Sequence, residues 1–378
     1  MVSALTDLDT SHHFAGVKRL VVKIGSALLV SEAGEVERYW IASVIEDIER
    51  LRKENGIDVV LVASGAVALG SNLLDLPPRD KRSLEDSQAA AAAGQIILSG
   101  LFSELFRSHR RRAAQILVTL DDLQDRRRYL NASATIDRLI SLGATPIINE
   151  NDSVTTEAIR FGDNDRLAAR VAQAANADMV LLLSNVDGLF TEDPRKNPDA
   201  KHLPVVDDIG SLNVKLGAST GPGSGGMGSK VEAARIATAS GISLAIADGQ
   251  SPNPVMRYRD QGKGTLFTAN DDVNARKAWI AGKIDVAGRL TIDEGAEKAL
   301  CEGNSLLAAG VTDVDGEFAR GASVDIYSKD GILLARGLIS YNSGESRQIA
   351  GKRNDAQRDL LGYAPRSAIV HRNNMVLL

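Results

Sequence analysis

The run Gly217-Ala-Ser-Thr-Gly-Pro-Gly-Ser-Gly-Gly-Met-Gly-Ser-Lys230 is the most concentrated chemical signal in the chain. Five of the eight residues from Gly221 to Gly228 are glycine, and Ser229-Lys230 then opens into the helical pattern Val231-Glu-Ala-Ala-Arg. A glycine-rich turn feeding a helix presents free backbone N–H groups and the positive end of a dipole, which suits an anion and most often a phosphate. Lys230 adds a full charge at the same place. The run is not a Walker A loop, because Val231 stands where that loop needs Ser or Thr. It also lies far along the chain, whereas a dinucleotide-binding fingerprint opens its domain. A flexible glycine linker is the competing reading, and the remaining residues must decide between the two.

Lys23 closes the apolar stretch Val21-Val-Lys-Ile-Gly-Ser26. A lysine in a buried strand is costly unless its charge meets a partner or a ligand, and Gly25 would let a phosphate approach the backbone. The alternative is an edge strand with Lys23 facing water. Ser64-Gly65-Ala66 ends a second strand in a turn of small residues, a cradle for carboxylate or phosphate that is also common for packing alone. Asn149-Glu-Asn-Asp152 places four polar residues at a strand's carboxyl end, as a substrate site or a solvated loop. Phe161-Gly-Asp-Asn-Asp165 leads into a helix at Arg166. Asp163 or Asn164 would serve as its cap, but a cap needs one residue, not three. Together these pieces describe a charge balance. Lys23 and Lys230 would flank a polyphosphate, with Asp165 holding both through charge-assisted hydrogen bonds. Phosphoryl transfer needs such positioning and charge neutralisation, with Mg²⁺ carried mainly by phosphate oxygens and water.

These residues need a scaffold, and the hydrophobic pattern supplies one. Strand-like runs at 18–24, 58–63, 115–119, 145–149, 179–183 and 243–247 alternate with helical runs at 36–54, 87–109, 130–142, 166–176 and 230–240. Strand and helix in alternation predict an α/β fold with a mostly parallel sheet sandwiched by helices, and ligands at the strands' carboxyl ends. The run 243–247 reads as the last strand of this part. The pattern changes between residues 265 and 280, with 275–282 as a connector. Beyond it a short helix at 294–302 and strand-like runs at 305–309, 323–327, 332–336 and 338–341, separated by glycines, predict a small β-rich barrel or sandwich. The domain division is 1–15 as a loose tail, 16–268, a linker 269–282, and 283–378.

Composition sets the frame. At 378 residues with 44% hydrophobic and 25% charged residues, the chain suits a soluble protein of two domains. Its net charge of −5 advertises no nucleic-acid or anionic-membrane partner. The single Cys301 excludes an internal disulfide and a cysteine-based metal cluster, and fits a reducing, cytoplasmic setting. The N-terminus does not read as a signal peptide, and no stretch reads as a membrane span free of charges. His12, His13, His109, His202 and His371 show no metal-ligand spacing, and no Gly-x-Ser-x-Gly elbow is present. The triplets Arg110–Arg112 and Arg126–Arg128 read as solvated helix faces or oligomer contacts.

In order, Val-Val-Lys-Ile-Gly-Ser, Ala-Ser-Gly-Ala-Val, Ile-Ile-Asn-Glu-Asn-Asp, Phe-Gly-Asp-Asn-Asp and Ser-Gly-Gly-Met-Gly-Ser-Lys resemble the glutamate 5-kinase branch of the amino-acid kinase family. The resemblance covers most of residues 17–268, and the last hundred residues look like the PUA domain that many members carry. It implies the amino-acid kinase fold and ATP-dependent phosphorylation of the γ-carboxylate of L-glutamate, the first step of proline biosynthesis. It further implies that Lys23 and Lys230 contact the ATP phosphates and stabilise the transferring group while Asp165 orients them. Gly25, Ser184, Asn185, Ser224, Gly225, Gly226, Met227, Gly228 and Ser229 would complete the nucleotide site. Ser64, Asp152 and Asn164 would bind glutamate, with Gly65, Ala66, Asn149 and Asp163 beside them, and no resident protein-held metal is implied. Two departures stand out: Ser184-Asn185 replaces the family's Thr-Asp, and Gly228 replaces a common Ser or Thr. Proline as an inhibitor and a homo-oligomer, dimer or tetramer, are further implications. Acetylglutamate kinase and aspartokinase activities are the rivals on the same fold. RNA binding by the PUA-like part is disfavoured, because residues 276–378 hold 14 Lys and Arg against 13 Asp and Glu.

Overall fold

The structure is a computed structural model that describes residues 13–31, 34–154, 163–212, 214, 226–269 and 286–378. The chain divides into two compact units, Met1–Gln124 with Ala132–Asp271, and Asp125–Asn131 with Asp272–Leu378. The connector read at 275–282, most of the N-terminal tail and the glycine run up to Gly225 lie outside the described residues.

The first unit carries strands β1 (Arg19–Ile24), β2 (Asp58–Val62), β3 (Arg112–Val118), β4 (Ala144–Glu150), β5 (Met179–Ser184), β6 (Leu189–Phe190), β7 (His202–Leu203), β8 (Val205–Val206), β9 (Ser243–Asp248) and β10 (Thr265–Phe267). Eight of them form one sheet in the order β3-β4-β2-β1-β5-β9-β10-β8, while β6 and β7 pair separately. All pairs from β3 through to β9 are parallel, and β10 runs antiparallel to β9. The expectation of a mostly parallel sheet holds. The run 243–247 is not its last strand, however, since β10 adds to the sheet beyond it.

The helices are α1 (Ser26–Leu29), α2 (Arg38–Asn55), α3 (Ala66–Leu73), α4 (Leu84–Ser108), α5 (Leu120–Gln124), α6 (Arg126–Ser141), α7 (Asp163–Ala174), α8 (Met227–Thr238) and α9 (Pro254–Gln261). Strand parity assigns them to faces. Leu20, Val22 and Ile24 of β1 join one core with Ile41, Val44 and Ile48 of α2 and Phe102 and Phe106 of α4. Side chains alternate along a strand, so Val21 and Lys23 face the other side. There α7 packs on β1 and α8 on β9. Phe14, read as part of a loose tail, is buried in the first core against Tyr258, with ring centroids 5.9 Å apart.

Helix α4 is long and apolar enough, by length and composition, to cross a membrane, but Glu85 and Asp86 at one end and Glu104 and Arg107 at the other bound its uncharged middle. Its apolar face has a partner inside the unit: Gly94, Leu98, Leu101 and Phe102 are buried. Where α3 crosses α4, a Cβ on Gly70 would lie 1.7 Å from the Ala90 carbonyl oxygen, and one on Gly94 would lie 1.9 Å from that of Ala66. Only glycine permits this approach.

The second unit holds a five-stranded sheet in the order β12-β11-β13-β14-β15. Its strands are β11 (Gly288–Ile292), β12 (Val311–Asp315), β13 (Ser323–Tyr327), β14 (Leu333–Ile339) and β15 (Val370–Leu377). All its pairs are antiparallel except β11 with β13. Helices Glu294–Cys301, Ser343–Ile349 and Asn354–Leu361 accompany it. The strand read at 305–309 is absent: Leu306 makes one bridge to Val370, and a 3-10 turn follows at Ala308–Gly310. The runs 332–336 and 338–341 are one strand. Gly337 does not break it. A Cβ there would lie 2.5 Å from Val370 Cγ1 and 2.9 Å from the Asn374 carbonyl oxygen, so the glycine marks close approach by β15.

Candidate functional site

Lys23, Ser64, Asn149 and Ser184 lie at or just past the carboxyl ends of four parallel strands, β1, β2, β4 and β5. Lys23 sits in register with Val62 of β2 on one side and Leu182 of β5 on the other. From β1 the chain first builds the sheet outward on the β2 side and then returns to β5. That reversal makes the crevice at the end of β1 the place where open α/β sheets bind ligands.

Two helices bring charges to this crevice. In α7 the buried stripe is Asp165, Ala168, Ala169 and Ala172, and in α8 it is Lys230, Ala233, Ala234 and Ala237. Both follow the i, i+3, i+4, i+7 spacing of a packed helix face. Alanine along each stripe lets the helices come close, and each stripe is headed by its one charged residue. Both helices begin three residues before the sequence pattern places them. Asp163, Asn164 and Asp165 therefore form the first turn of α7, and Met227 to Lys230 the first turn of α8.

The result is a buried triad. Lys23 Nζ lies 2.5 Å from Asp165 Oδ1 as a close ion pair. Lys230 Nζ donates to Asp165 Oδ2 at 3.0 Å, and Ser229 Oγ donates to the same oxygen at 2.9 Å. Both lysine side chains are 9% exposed and Asp165 is fully buried. Burial alone would raise the Asp165 carboxyl, but the two lysines outweigh it and hold it below the usual carboxylate range. Burial pushes Lys230 below the ordinary lysine value; Asp165 opposes the shift and Lys23 adds to it. Lys230 also stands at a helix N-terminus, where the dipole disfavours a cation. Two ammonium groups against one carboxylate leave one positive charge in excess in a largely buried site. Gly25 keeps the space beside it open, since a Cβ there would lie 3.8 Å from Lys23 Nζ. The edge-strand reading of Lys23 does not hold, because β1 is central in the sheet.

A second, uncharged cluster lies on the β2–β4 side. Asn164 follows a different direction from its neighbour Asp165, as adjacent helical residues do. Its Nδ2 donates to Ser64 Oγ at 2.7 Å and to the Ala63 carbonyl at 3.3 Å, while its Oδ1 is buried with no hydrogen-bond partner among the described residues. Asn149 is buried at the end of β4 and Asp152 is half-buried in the turn that follows. Gly65 has φ +96°, which a side chain would strain, and it starts α3 at the buried Ala66. On the opposite side, buried Ser184 is followed by exposed Asn185, whose carbonyl accepts from Gln250 Nε2 at 2.9 Å. Gly226, Met227 and Gly228 surround the start of α8. Ser224 and Gly225 lie outside the described residues, as does the Asp163 side chain. Gln95, which sequence reasoning passed over, accepts a hydrogen bond from Asn149 Nδ2 at 2.7 Å. Its signal was Gly94, a glycine within an apolar helix pattern, which marks close backbone approach.

Comparison with known proteins agrees with this architecture. Residues 18–248 match the amino acid kinase family and residues 288–361 match the PUA domain. The chain is similar to the glutamate 5-kinase of Zymomonas mobilis, 53% identical over 363 residues, covering 95% of this chain and 91% of that protein. It is also similar to the glutamate 5-kinase of Sphingopyxis alaskensis, 54% identical over 367 residues, covering 96% and 98%. Among solved structures, the UMP kinase from Ureaplasma parvum shares 18% identity with a TM-score of 0.47, covering 66% of this chain and 98% of that one.

Proposed function

We propose that this chain, which belongs to the amino acid kinase family, transfers the γ-phosphoryl group of ATP to the γ-carboxylate of L-glutamate, forming L-glutamyl 5-phosphate. The observation that carries the proposal is the triad: two buried lysines that share one buried aspartate and retain a net positive charge. Such a site calls for an anion, and it binds most tightly when negative charge is spread over a transferring phosphoryl group. Lys23 and Lys230 would neutralise that charge while Asp165 holds their separation. The acceptor needs no general base, because a glutamate carboxyl with an ordinary pKa of about 4.3 is already ionised near neutral pH.

On this reading the two substrates would lie on opposite sides of β1 in the strand order. The β5–β9 side, with Gly25, Ser184, Asn185, Gly226, Met227, Gly228 and Ser229, would take the nucleotide, and Ser224 and Gly225 would continue that wall. The β2–β4 side, with Ser64, Gly65, Ala66, Asn149, Asp152, Asp163 and Asn164, would take glutamate. The buried Asn164 Oδ1 is an acceptor only. It suits a donor such as an N–H of the α-ammonium group that L-glutamate carries. Both Asp165 oxygens are engaged by cations or a hydroxyl, so Mg²⁺ would ride on the nucleotide's phosphate oxygens, where it screens charge.

The gap between the two family matches supports a kinase domain followed by a linker and a PUA domain; the bounds 16–268, 269–282 and 283–378 are part of the proposal, with the first drawn back to take in Phe14, which packs in the first core. The relatives' name, glutamate 5-kinase, supports a place in proline biosynthesis; feedback inhibition by proline and a homo-oligomeric state go beyond that name and are further parts of the proposal. Inhibition predicts that proline raises the apparent KM for glutamate; no effect at millimolar proline would remove it. The acceptor is tested by ATP turnover with L-glutamate, N-acetylglutamate and L-aspartate in parallel. Turnover confined to L-glutamate supports the proposal, and turnover with either rival alone overturns it.

A further inference from the structure

Backbone groups dictate how the buried amides beside Ser64 are turned. The Glu150 N–H can only donate, and it gives its proton to Asn149 Oδ1 at 2.9 Å. Asn149 therefore presents Nδ2 at its other end, where Gln95 Oε1 accepts at 2.7 Å. The Ala63 carbonyl can only accept, so Asn164 turns Nδ2 toward it and Oδ1 away. The same Nδ2 lies 3.5 Å from Asn149 Oδ1, which links the two amides. Asn149 is 1% exposed, so an Nδ2 without Gln95 would have no water to turn to. Helix α4 delivers Gln95 at a fixed place, because Gly94 beside it rests against the Ala66 carbonyl with no room for a Cβ.

We infer that Gln95 is a positioning residue for the glutamate subsite. It holds the Asn149 amide in one orientation, and Asn149 in turn backs Asn164, whose Oδ1 meets the substrate. Gln95 itself touches no substrate atom. The inference rests on the reading of Ser64, Asn149 and Asn164 as the glutamate side of the crevice.

The test compares Gln95→Met, which keeps the length and loses the acceptor, with Gln95→Glu, which keeps an acceptor oxygen. Gln95→Met should raise the KM for L-glutamate about five- to tenfold, the worth of one buried neutral hydrogen bond. Its kcat should stay within about twofold, as should its KM for ATP, because the lysine triad is untouched. Gln95→Glu should recover most of the glutamate KM. In an Asn164→Ala background, Gln95→Met should add less than about twofold, since residues acting in one line are not additive. An unchanged KM in Gln95→Met, a Gln95→Glu as poor as Gln95→Met, or additivity with Asn164→Ala would each overturn the inference. A Gln95→Met protein that does not fold would also overturn it, by showing the contact to be structural. Parent protein that turns over no L-glutamate would sink the underlying reading instead, which keeps the two failures apart.

Discussion

Replacing Asp165 by asparagine removes the one negative charge from the triad while preserving its shape. The lost attractions are large in gross terms. At 2.5 and 3.0 Å, with the effective dielectric of about 20 that suits such pairs, each is worth ~6 kcal/mol. Much of this is offset, because the carboxylate is no longer desolvated and the lysines can shed a proton. Removing one partner of a buried ion pair nets about 3–5 kcal/mol of destabilisation. For a unit of this size that lowers the thermal midpoint by about 6–20 °C. The lysines then repel each other with nothing between them. A displacement of about 1 Å from the reacting phosphoryl group lowers kcat about 100-fold. Nucleotide should reverse the stability loss, since its phosphates replace the missing charge. The midpoint gain on adding MgATP should therefore be larger in Asp165→Asn than in the parent. Scanning calorimetry with and without MgATP, beside steady-state kinetics, measures both effects. An Asp165→Asn protein within 2 °C (about 1 kcal/mol at this size) and about threefold of the parent would refute the reasoning.

Three further outcomes follow from the same geometry. Because the folded-state pKa of Lys230 lies below its ordinary 10.5, kcat/KM for ATP at saturating glutamate should fall on the alkaline side before pH 10.5, and Lys230→Arg should move that limb upward. Between the depressed value and 10.5 the unfolded chain binds more protons at this site, so Lys230 contributes a stability that rises with pH in that window, measurable by urea midpoints. Gly94→Ala forces a Cβ to 1.9 Å from the Ala66 carbonyl oxygen; it should cost about 1–3 kcal/mol and raise the KM for glutamate more than that for ATP, because α3 carries the Ser64–Ala66 turn.

Much of the site was legible because it obeys local rules. A lysine amid Val21, Val22 and Ile24 is a conflict that only a ligand or partner resolves, and strand parity then gives its face. The two helix starts were misplaced by three residues for a physical reason. Asp163, Asn164, Gly228 and Ser229 are weak helix formers that read as loop, and long-range packing of α7 against α8 overrides that preference. Gln95 was passed over because Gly94 alone does not name the partner: its role depends on a crossing of α3 and α4 set by two glycines 24 positions apart, Gly70 and Gly94. In the second unit Gly337 was read as a break because a sequence cannot distinguish a turn glycine from one pressed against a neighbouring strand. Strand β15 was missed because His371-Arg-Asn-Asn374 is polar, although Asn374 is buried.

The central claim is that the two lysines joined by Asp165 carry out phosphoryl transfer to a carboxylate. Its most direct test is a single turnover with γ-labelled ATP and L-glutamate, the acyl phosphate being trapped as its hydroxamate, in the parent and in Lys230→Met. The parent should give γ-glutamyl hydroxamate together with an equal amount of labelled inorganic phosphate, which hydroxylamine displaces from the acyl phosphate, and Lys230→Met should lose about 100- to 1000-fold in the transfer rate even at saturating ATP. Hydroxamate formed at the parental rate by Lys230→Met would contradict the account.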